Sequence, residues 1–547
     1  YALVLGIDSG RLVEELVRQS ELYVIAVDQN AGTVAAVRQR LDRMGLYGSR
    51  ASVVVGDPVT YPFSPYLASL VTSEAPDELG QSEDQELVEA VFHTLRPYGG
   101  VACAWGSLAD SRRIDEIVQG GAFPGARVRE VGDFVLLARS GALPGAADWS
   151  HAEADAACTG ASADELRAPT SVLWFDASRR WHKYPGQNQV RVAGGRVVLY
   201  ENGLLQASDV FTGRLLWEVE LSAETLDWQG VRYARHRQWG PRASLSPTAE
   251  LVVVEDAVYL SDGAICMMFD AATGKPARHI ALPDDLDTPW ANVRVSGDFL
   301  VGSSGQHVLC MDRHTGKLVW RFEATRSPLF LAAGGNKLLC SELANSRRGE
   351  DQASDGRIIA LKLATGDPLW ERPGGARLRY SEALDIVVTP TSFLRGANGQ
   401  PLDQPAGVPP ADLVLTGRGL PASGVPAYIA GGKLLAGSDD TLRVYELPSL
   451  NRIGSPMTWN RRGCTVTRAS TCLMTTRLKG NSAWIDLESR EITPFLGIRP
   501  ACSTNNNLYP ANGVLNIPSL TAGCTCNYAP VSIACVPAAA VQRGAAK

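Results

Sequence analysis

A tight glycine turn opens the chain. Gly6-Ile7-Asp8-Ser9-Gly10 follows the apolar run Leu3-Val4-Leu5, and a second apolar run, Tyr23 to Val27, ends in Asp28. Residues of these types in this order can hold a nucleoside: the glycines let the backbone approach the ligand, and the carboxylate after the second strand accepts ribose hydroxyls. Gly56-Asp57, after a third run from Ala51 to Val55, places one more carboxylate at the same end of the strands. Asp8 opposes this chemistry. A side chain there intrudes where backbone should meet ligand, and its charge repels a ligand carboxylate by about 1–4 kcal/mol at intermediate dielectric. The residues leave open both a working pocket and a structural relic, and position 8 favours the relic.

Cysteines offer a second chemistry. Six of the eleven fall late in the chain: Cys464, Cys472, Cys502, Cys524, Cys526 and Cys535. The one-residue gap in Cys524-Thr525-Cys526 is too short for a paired zinc site or a redox CxxC. Side chains two apart across a strand residue do not suit a mutual bond either, so Cys464, Cys502, Cys524 and Cys526 are expected to bridge to more distant cysteines, with buried thiols or a metal as alternatives. Bridges imply an oxidising compartment, hence an exported or periplasmic location. His151, His182 and His307 could serve as acid, base or metal ligand, but no HxH or HExxH spacing occurs and structural roles are favoured. Trp174, Trp181, His182 and Tyr184 could stack on a sugar ring, although interface packing is the stronger expectation. Arg461-Arg462 could grip an anion or form salt bridges.

The elements that must position these residues change character along the chain. Over residues 1–140, strands alternate with amphipathic helices, which predicts a doubly wound, Rossmann-like α/β sheet with its crevice at the strands' C-terminal ends. Residues 141–170 are rich in Ala, Gly and Asp and read as a linker with an ordered patch at Asp148-Trp149-Ser150-His151. From 171 to 547 a phrase recurs: Asp209 to Gly213 with Trp217, Asp270 to Gly274, Asp312 to Gly316 with Trp320, and Lys362 to Gly366 with Trp370, each ending in Thr-Gly. A period of roughly 40–60 residues points to a β-propeller. Asp and Thr cap a turn in which Gly takes a positive φ, and Trp fills the wedge between sheets. Strand clusters near 190–220, 251–283, 295–325, 334–375, 380–417, 428–455, 464–495 and 502–537 predict eight blades, with seven the alternative; Arg395 to Pro410 reads as a long surface loop.

The Thr-Gly/Trp phrase resembles the pyrroloquinoline-quinone-like (PQQ-like) propeller repeat. The front of the chain, with Gly56-Asp57 and Leu95-Arg96-Pro97-Tyr98-Gly99-Gly100, resembles the class I S-adenosylmethionine (SAM)-dependent methyltransferase domain. That resemblance implies that Gly6 and Gly10 line a cofactor turn, with Asp8 between them, that Asp28 holds the ribose, and that Asp57 faces the adenine. The chain departs from the family at Val4, where an acidic residue is usual, at Asp8, where glycine is usual, and at Ser73-Glu74-Ala75-Pro76, which is not an aromatic-flanked Asn-Pro loop. Asp148-Trp149-Ser150-His151, Arg461 to Cys464, Gly497 to Cys502 and Gly523 to Tyr528 resemble a family of large bacterial proteins that joins the same two domains. Quinoprotein dehydrogenases tend to carry adjacent cysteines and a Ca²⁺ ligand set; this chain shows neither, so PQQ is disfavoured as a cofactor.

Composition narrows the function classes. A net charge of −6 over 547 residues argues against nucleic acid, and no apolar run approaches the roughly 18 residues of a membrane span. The chain begins inside a strand at Tyr1, so further residues are expected upstream. The reading that follows is a binding or assembly protein that meets a protein or glycan partner on its propeller loop faces and carries a degenerate, non-catalytic methyltransferase-like domain. The alternatives are a cytoplasmic SAM-dependent methyltransferase and a propeller enzyme of the quinoprotein or saccharide-active kind.

Overall fold

The computed structural model describes residues 1–79, 83–103, 110–132, 134–176, 189–201, 203–221, 249–343, 354–402, 427–438, 440–459, 466–478, 481–495, 507–518 and 531–542. The chain divides into two compact units, Tyr1–Pro144 with Val536–Lys547, and Gly145–Cys535.

In the first unit, seven strands form one mixed sheet: β1 (Ala2–Leu5), β2 (Val24–Asp28), β3 (Ala51–Val55), β4 (Leu70–Thr72), β5 (Gly100–Cys103), β6 (Ala126–Val131) and β7 (Phe134–Arg139). Their order is β3-β2-β1-β4-β5-β7-β6, with β1 to β5 parallel and β7 antiparallel to both neighbours. Strands that run in the same direction require crossovers, and α1 (Arg11–Gln19), α2 (Ala31–Arg43), the short α3 (Pro76–Leu79) with α4 (Asp84–Thr94), and α5 (Ser111–Gly120), which links β5 to β6, lie on them. Val13, Val17, Val34, Val37 and Leu41 of α1 and α2 pack in one core, while Leu87, Val88, Val91 and Ile114 of α4 and α5 pack in another. The strand order reverses between β1 and β4, so a crevice opens there at the strands' C-terminal ends.

The second unit is an eight-bladed propeller. Its blades span 189–220, 250–281, 290–323, 329–375, 379–395, 428–458, 468–495 and 509–536. Blade 8 is composite, because its outermost strand is Ser171–Asp176 from the start of the unit. Apolar seams join successive blades, as where Val198, Tyr200, Met267 and Phe269 meet between blades 1 and 2.

The repeated turn works as its residues require. Asp209 Oδ1 accepts from the Phe211, Thr212 and Thr212 hydroxyl donors at 2.8–3.1 Å, and Gly213 sits at φ 71°. The Trp docks on the glycine of the next blade's turn. A Cβ on Gly274 would lie 2.5 Å from the Trp217 ring, whose indole N–H donates to Ala271 O at 2.9 Å. Trp320 meets Gly366 and Leu363 O in the same way, and Trp370 meets Gly399 and Gly396 O. Trp174, expected in an aromatic cluster ahead of the first blade, is the corresponding Trp of blade 8: it covers Gly213 and donates to Val210 O at 2.7 Å. Blades 5 to 7 make the same turn without Thr-Gly, at Arg395–Gly399, Glu446–Leu450 and Asp486–Arg490. The start of the loop expected from Arg395 is therefore a blade turn, and Pro401 bridges back to Leu394.

Candidate functional site

The crevice of the first unit gathers the glycine turn, Asp28 and Glu74. Gly6 and Gly10 both take positive φ, near 80°. A Cβ on Gly10 would lie 2.5 Å from Val37 and 2.6 Å from Arg40, so the packing of α1 on α2 already demands glycine there. Asp28 is buried at 2% exposure and its two oxygens are engaged: Ile7 N donates to Oδ2 at 2.6 Å and Asn30 N to Oδ1 at 2.7 Å. Asp57 is exposed and receives the amides of Val59 and Thr60, with Gln29 Nε2 at 3.1 Å. Asp8 is exposed.

The carboxylate that does sit on the turn is Glu74, just past β4. It accepts from Ser9 Oγ and Gly10 N at 2.7 Å each and from Leu12 N at 3.2 Å. Burial alone would raise its pKa, but the Ser9 hydroxyl and the amides of Leu12, Gly10 and Arg11 prevail and hold it below the usual carboxylate range. The N-terminus of α1, the natural seat for a ligand's negative group, is thus filled by the chain's own acid. These residues do not fit SAM as they stand: Asp28 is only 2% exposed, and a ligand carboxylate at the N-terminus of α1 would meet Glu74.

The second candidate is the central channel of the propeller, where a quinone would lie in a propeller dehydrogenase. The segment expected as a linker runs, from Gly145, inside the propeller unit and fills that channel. It makes a full circuit of the innermost strands. Ala147 O accepts from Asn512 N of blade 8, Trp149 exchanges both backbone bonds with Val192 of blade 1, and Ser150 O accepts from Val253 N of blade 2. His151 Nε2 accepts from Val295 N of blade 3 at 3.1 Å. Ala156 O, Ala157 O and Thr159 O then accept from Ala333, Tyr380 and Ile429 of blades 4, 5 and 6. Ala161 and Ser162 pair with Ala469 and Ser470 of blade 7, and Asp164 returns to blade 8 through Gly513 N at 2.7 Å.

Charged side chains lock this segment in place. Arg379, 1% exposed, meets Glu153 at 2.8 Å and lies 4.9 Å over the Tyr428 ring. Burial would raise the Glu153 carboxyl, yet the Arg379 guanidinium overrides it and holds it low. Arg468 stacks 4.0 Å over Tyr509 and 5.0 Å over Trp149. Burial, with Arg294 and Arg191 nearby, drives His151 well below the usual histidine range, so the ring is neutral and its accepting Nε2 fixes the tautomer. His151 is a structural acceptor. His307 receives Arg321 Nε at 3.4 Å, and His182, Trp181, Tyr184, Arg461 and Arg462 lie outside the described residues.

Cys464, Cys502, Cys524 and Cys526 also lie outside the described residues. Cys472 and Cys535, from the same late group, are free buried thiols. Among the described residues, no group of three His, Cys, Asp or Glu side chains could hold a metal, and no helix is long and apolar enough to cross a membrane.

A protein-family model described as outer membrane protein assembly factor BamB matches residues 201–400. Among solved structures, the chain is similar to the quinohemoprotein alcohol dehydrogenase ADHIIG of Pseudomonas putida HK5, at 12% identity and TM-score 0.40 over 69% of this chain and 74% of that one. It is similar to BamB of Moraxella catarrhalis at 12% identity and TM-score 0.32, over 56% of this chain and 81% of the other. It is also similar to Hsv2 of Kluyveromyces lactis at 11% identity and TM-score 0.35, over 56% and 98%. Likenesses this distant do not bear on what the chain does. No curated protein matches the sequence. The family model marks residues 201–400 as PQQ-like, BamB-type β-propeller repeat.

Proposed function

We propose that this chain is a binding or assembly protein: a PQQ-like propeller that recognises a protein or glycan partner on its loop faces, joined to a degenerate, non-catalytic methyltransferase-like domain. One observation carries this reading. Each place where a propeller enzyme or a methyltransferase would hold its small molecule is taken up by the chain itself, the channel by residues 147–164 and the glycine turn by Glu74 and Asp28. What remains for recognition is the loop-built surface of a rigid scaffold. The assembly-factor description of the matching family model supports the same class.

The first unit keeps the sheet order of a nucleoside-binding fold while its polar handles serve its own backbone, which supports inherited scaffold rather than working enzyme. Calorimetric titration of the full chain with SAM tests this. No heat at about millimolar ligand is expected, and saturable binding at micromolar SAM would replace the scaffold reading with methyl transfer.

A further inference from the structure

We propose that His151 is an acid-released joint between the channel segment and blade 3: a proton on this ring uncouples the two there, while the blades themselves stay folded. The ring is 2% exposed and both of its nitrogens are committed. Nε2 accepts from Val295 N at 3.1 Å, so the one ring hydrogen sits on Nδ1 and is donated to Ser150 Oγ at 2.7 Å. The Ser150 hydroxyl in turn donates to Ala154 O at 3.3 Å. This chain of bonds has no place for another hydrogen. A proton arriving from solvent at Nε2 would set N–H against N–H, and the Val295 bond would have to break.

The surroundings add repulsion to that clash. In blades 1, 3, 5 and 7 an arginine immediately precedes the innermost-strand residue that meets the channel segment: Arg191, Arg294, Arg379 and Arg468. All four stand at one register, where blades 2, 4 and 6 have Val252, Ala332 and Tyr428. Two of them, Arg294 beside Val295 and Arg191 beside Val192, act on His151 itself, and after burial they are what keeps the seated ring neutral. The carboxylates nearby are engaged by other groups. Glu153 pairs with Arg379, and Glu250 accepts the amides of Asn292 and Val293 and lies 3.7 Å from Arg294. Burial raises the Cys158 thiol to about 11, so it stays uncharged. A histidinium here would be one more cation among guanidiniums, where water cannot screen it.

The direction of the effect follows. A released histidine takes up a proton near 6.5 and the seated ring does not, so the joint is at full strength above that pH and weakens as pH falls below it. Asp155 and Asp164, both raised to about 6 by burial, stay out of this step. Asp155 is tied within the segment to Thr159, and Asp164 to the amides of Ala147 and Gly513.

Deuterium exchange of the full chain at about pH 7.5 and about pH 5.5, read by mass spectrometry on peptides covering Trp290–Ser296, tests the joint, with His151→Gln as the reference. Glutamine can accept the Val295 bond and cannot titrate. Both chains are compared at the same pH, so intrinsic exchange rates cancel. Between the two conditions the opening constant of the wild type should rise about tenfold relative to the variant, the factor set by a released ring that titrates near 6.5. The adjoining strand Phe299–Ser304 should show no such change. The proposal is overturned if the two chains keep the same ratio at both pH values, or if Phe299–Ser304 loses protection alongside. Should the variant fail to fold, exchange at C2 of the wild-type imidazole replaces it. The folded ring should remain neutral at about pH 5.5, and half-protonation near 6.5 refutes the joint.

Discussion

Replacing Glu153 by alanine should destabilise the propeller by about 3 kcal/mol. Removing one partner of a buried ion pair typically costs about 3–5 kcal/mol, because an uncompensated charge stays behind. Arg379 is only 1% exposed and has its Nη1 2.8 Å from Glu153 Oε2, but the Glu153 side chain is 28% exposed. Water can therefore reach part of the site, which places the loss at the low end. Urea unfolding followed by tryptophan fluorescence should show a lower midpoint at unchanged slope. Glu153→Gln, which keeps a hydrogen bond and drops the charge, should lose roughly half as much. Combining Glu153→Ala with Arg379→Met removes the stranded charge and should recover most of the loss. The effect also has a pH signature. In the folded chain Glu153 titrates below its ordinary 4.5, so the unfolded chain takes up the proton first as the solution is acidified. The contribution is complete above about pH 4.5 and disappears as pH falls, and wild type and variant should converge in acid. An unmoved midpoint at pH 7 would show that the channel is wet and that residues 147–164 do not form a buried plug.

Further outcomes are expected. Trp320→Ala removes the ring that covers Gly366 and the donor to Leu363 O, and should cost about 3–5 kcal/mol by thermal or chemical unfolding. Burial pushes Asp155 up from 3.8 to about 6, so the folded chain keeps a proton that the unfolded chain has released, and stability falls as pH rises through that window. Asp155→Asn should flatten this fall; the shift implies roughly 3 kcal/mol, which partial exposure reduces to about 2, read from melts at pH 4 and pH 8. Glu74→Ala removes the cap on α1 and should cost about 1 kcal/mol. It also frees the turn's amides, so added phosphate should stabilise this variant more than the wild type.

The propeller was legible because its turns have strict local chemistry: Asp accepts, Thr donates and Gly adopts positive φ, all within five residues. Where other residues meet the same demand the signal fades. At Asp486–Arg490 an arginine takes φ 66° at the glycine position, and no phrase search finds it. The plug was hidden for a different reason. Residues 147–164 bond chiefly through their backbones, to one blade after another, so their side chains show no period and the Ala- and Gly-rich composition reads as a linker. Asp8 drew attention as the offending acid in the glycine turn, yet it is exposed, and the acid that fills the turn is Glu74, 64 positions from Gly10. Local sequence does not reveal a cap from so far away. Asp28 was recognised as the acid ending β2, but its commitment to Ile7 N depends on how closely β1 and β2 pair.

The thread through the propeller precedes every blade in the chain. During synthesis it emerges ahead of them, like an axle laid down before its spokes, and each newly made sheet finds a hydrogen-bond partner already waiting at the hub. Such a ring can be assembled spoke by spoke, and deleting the axle would cost all eight spokes their common register at once.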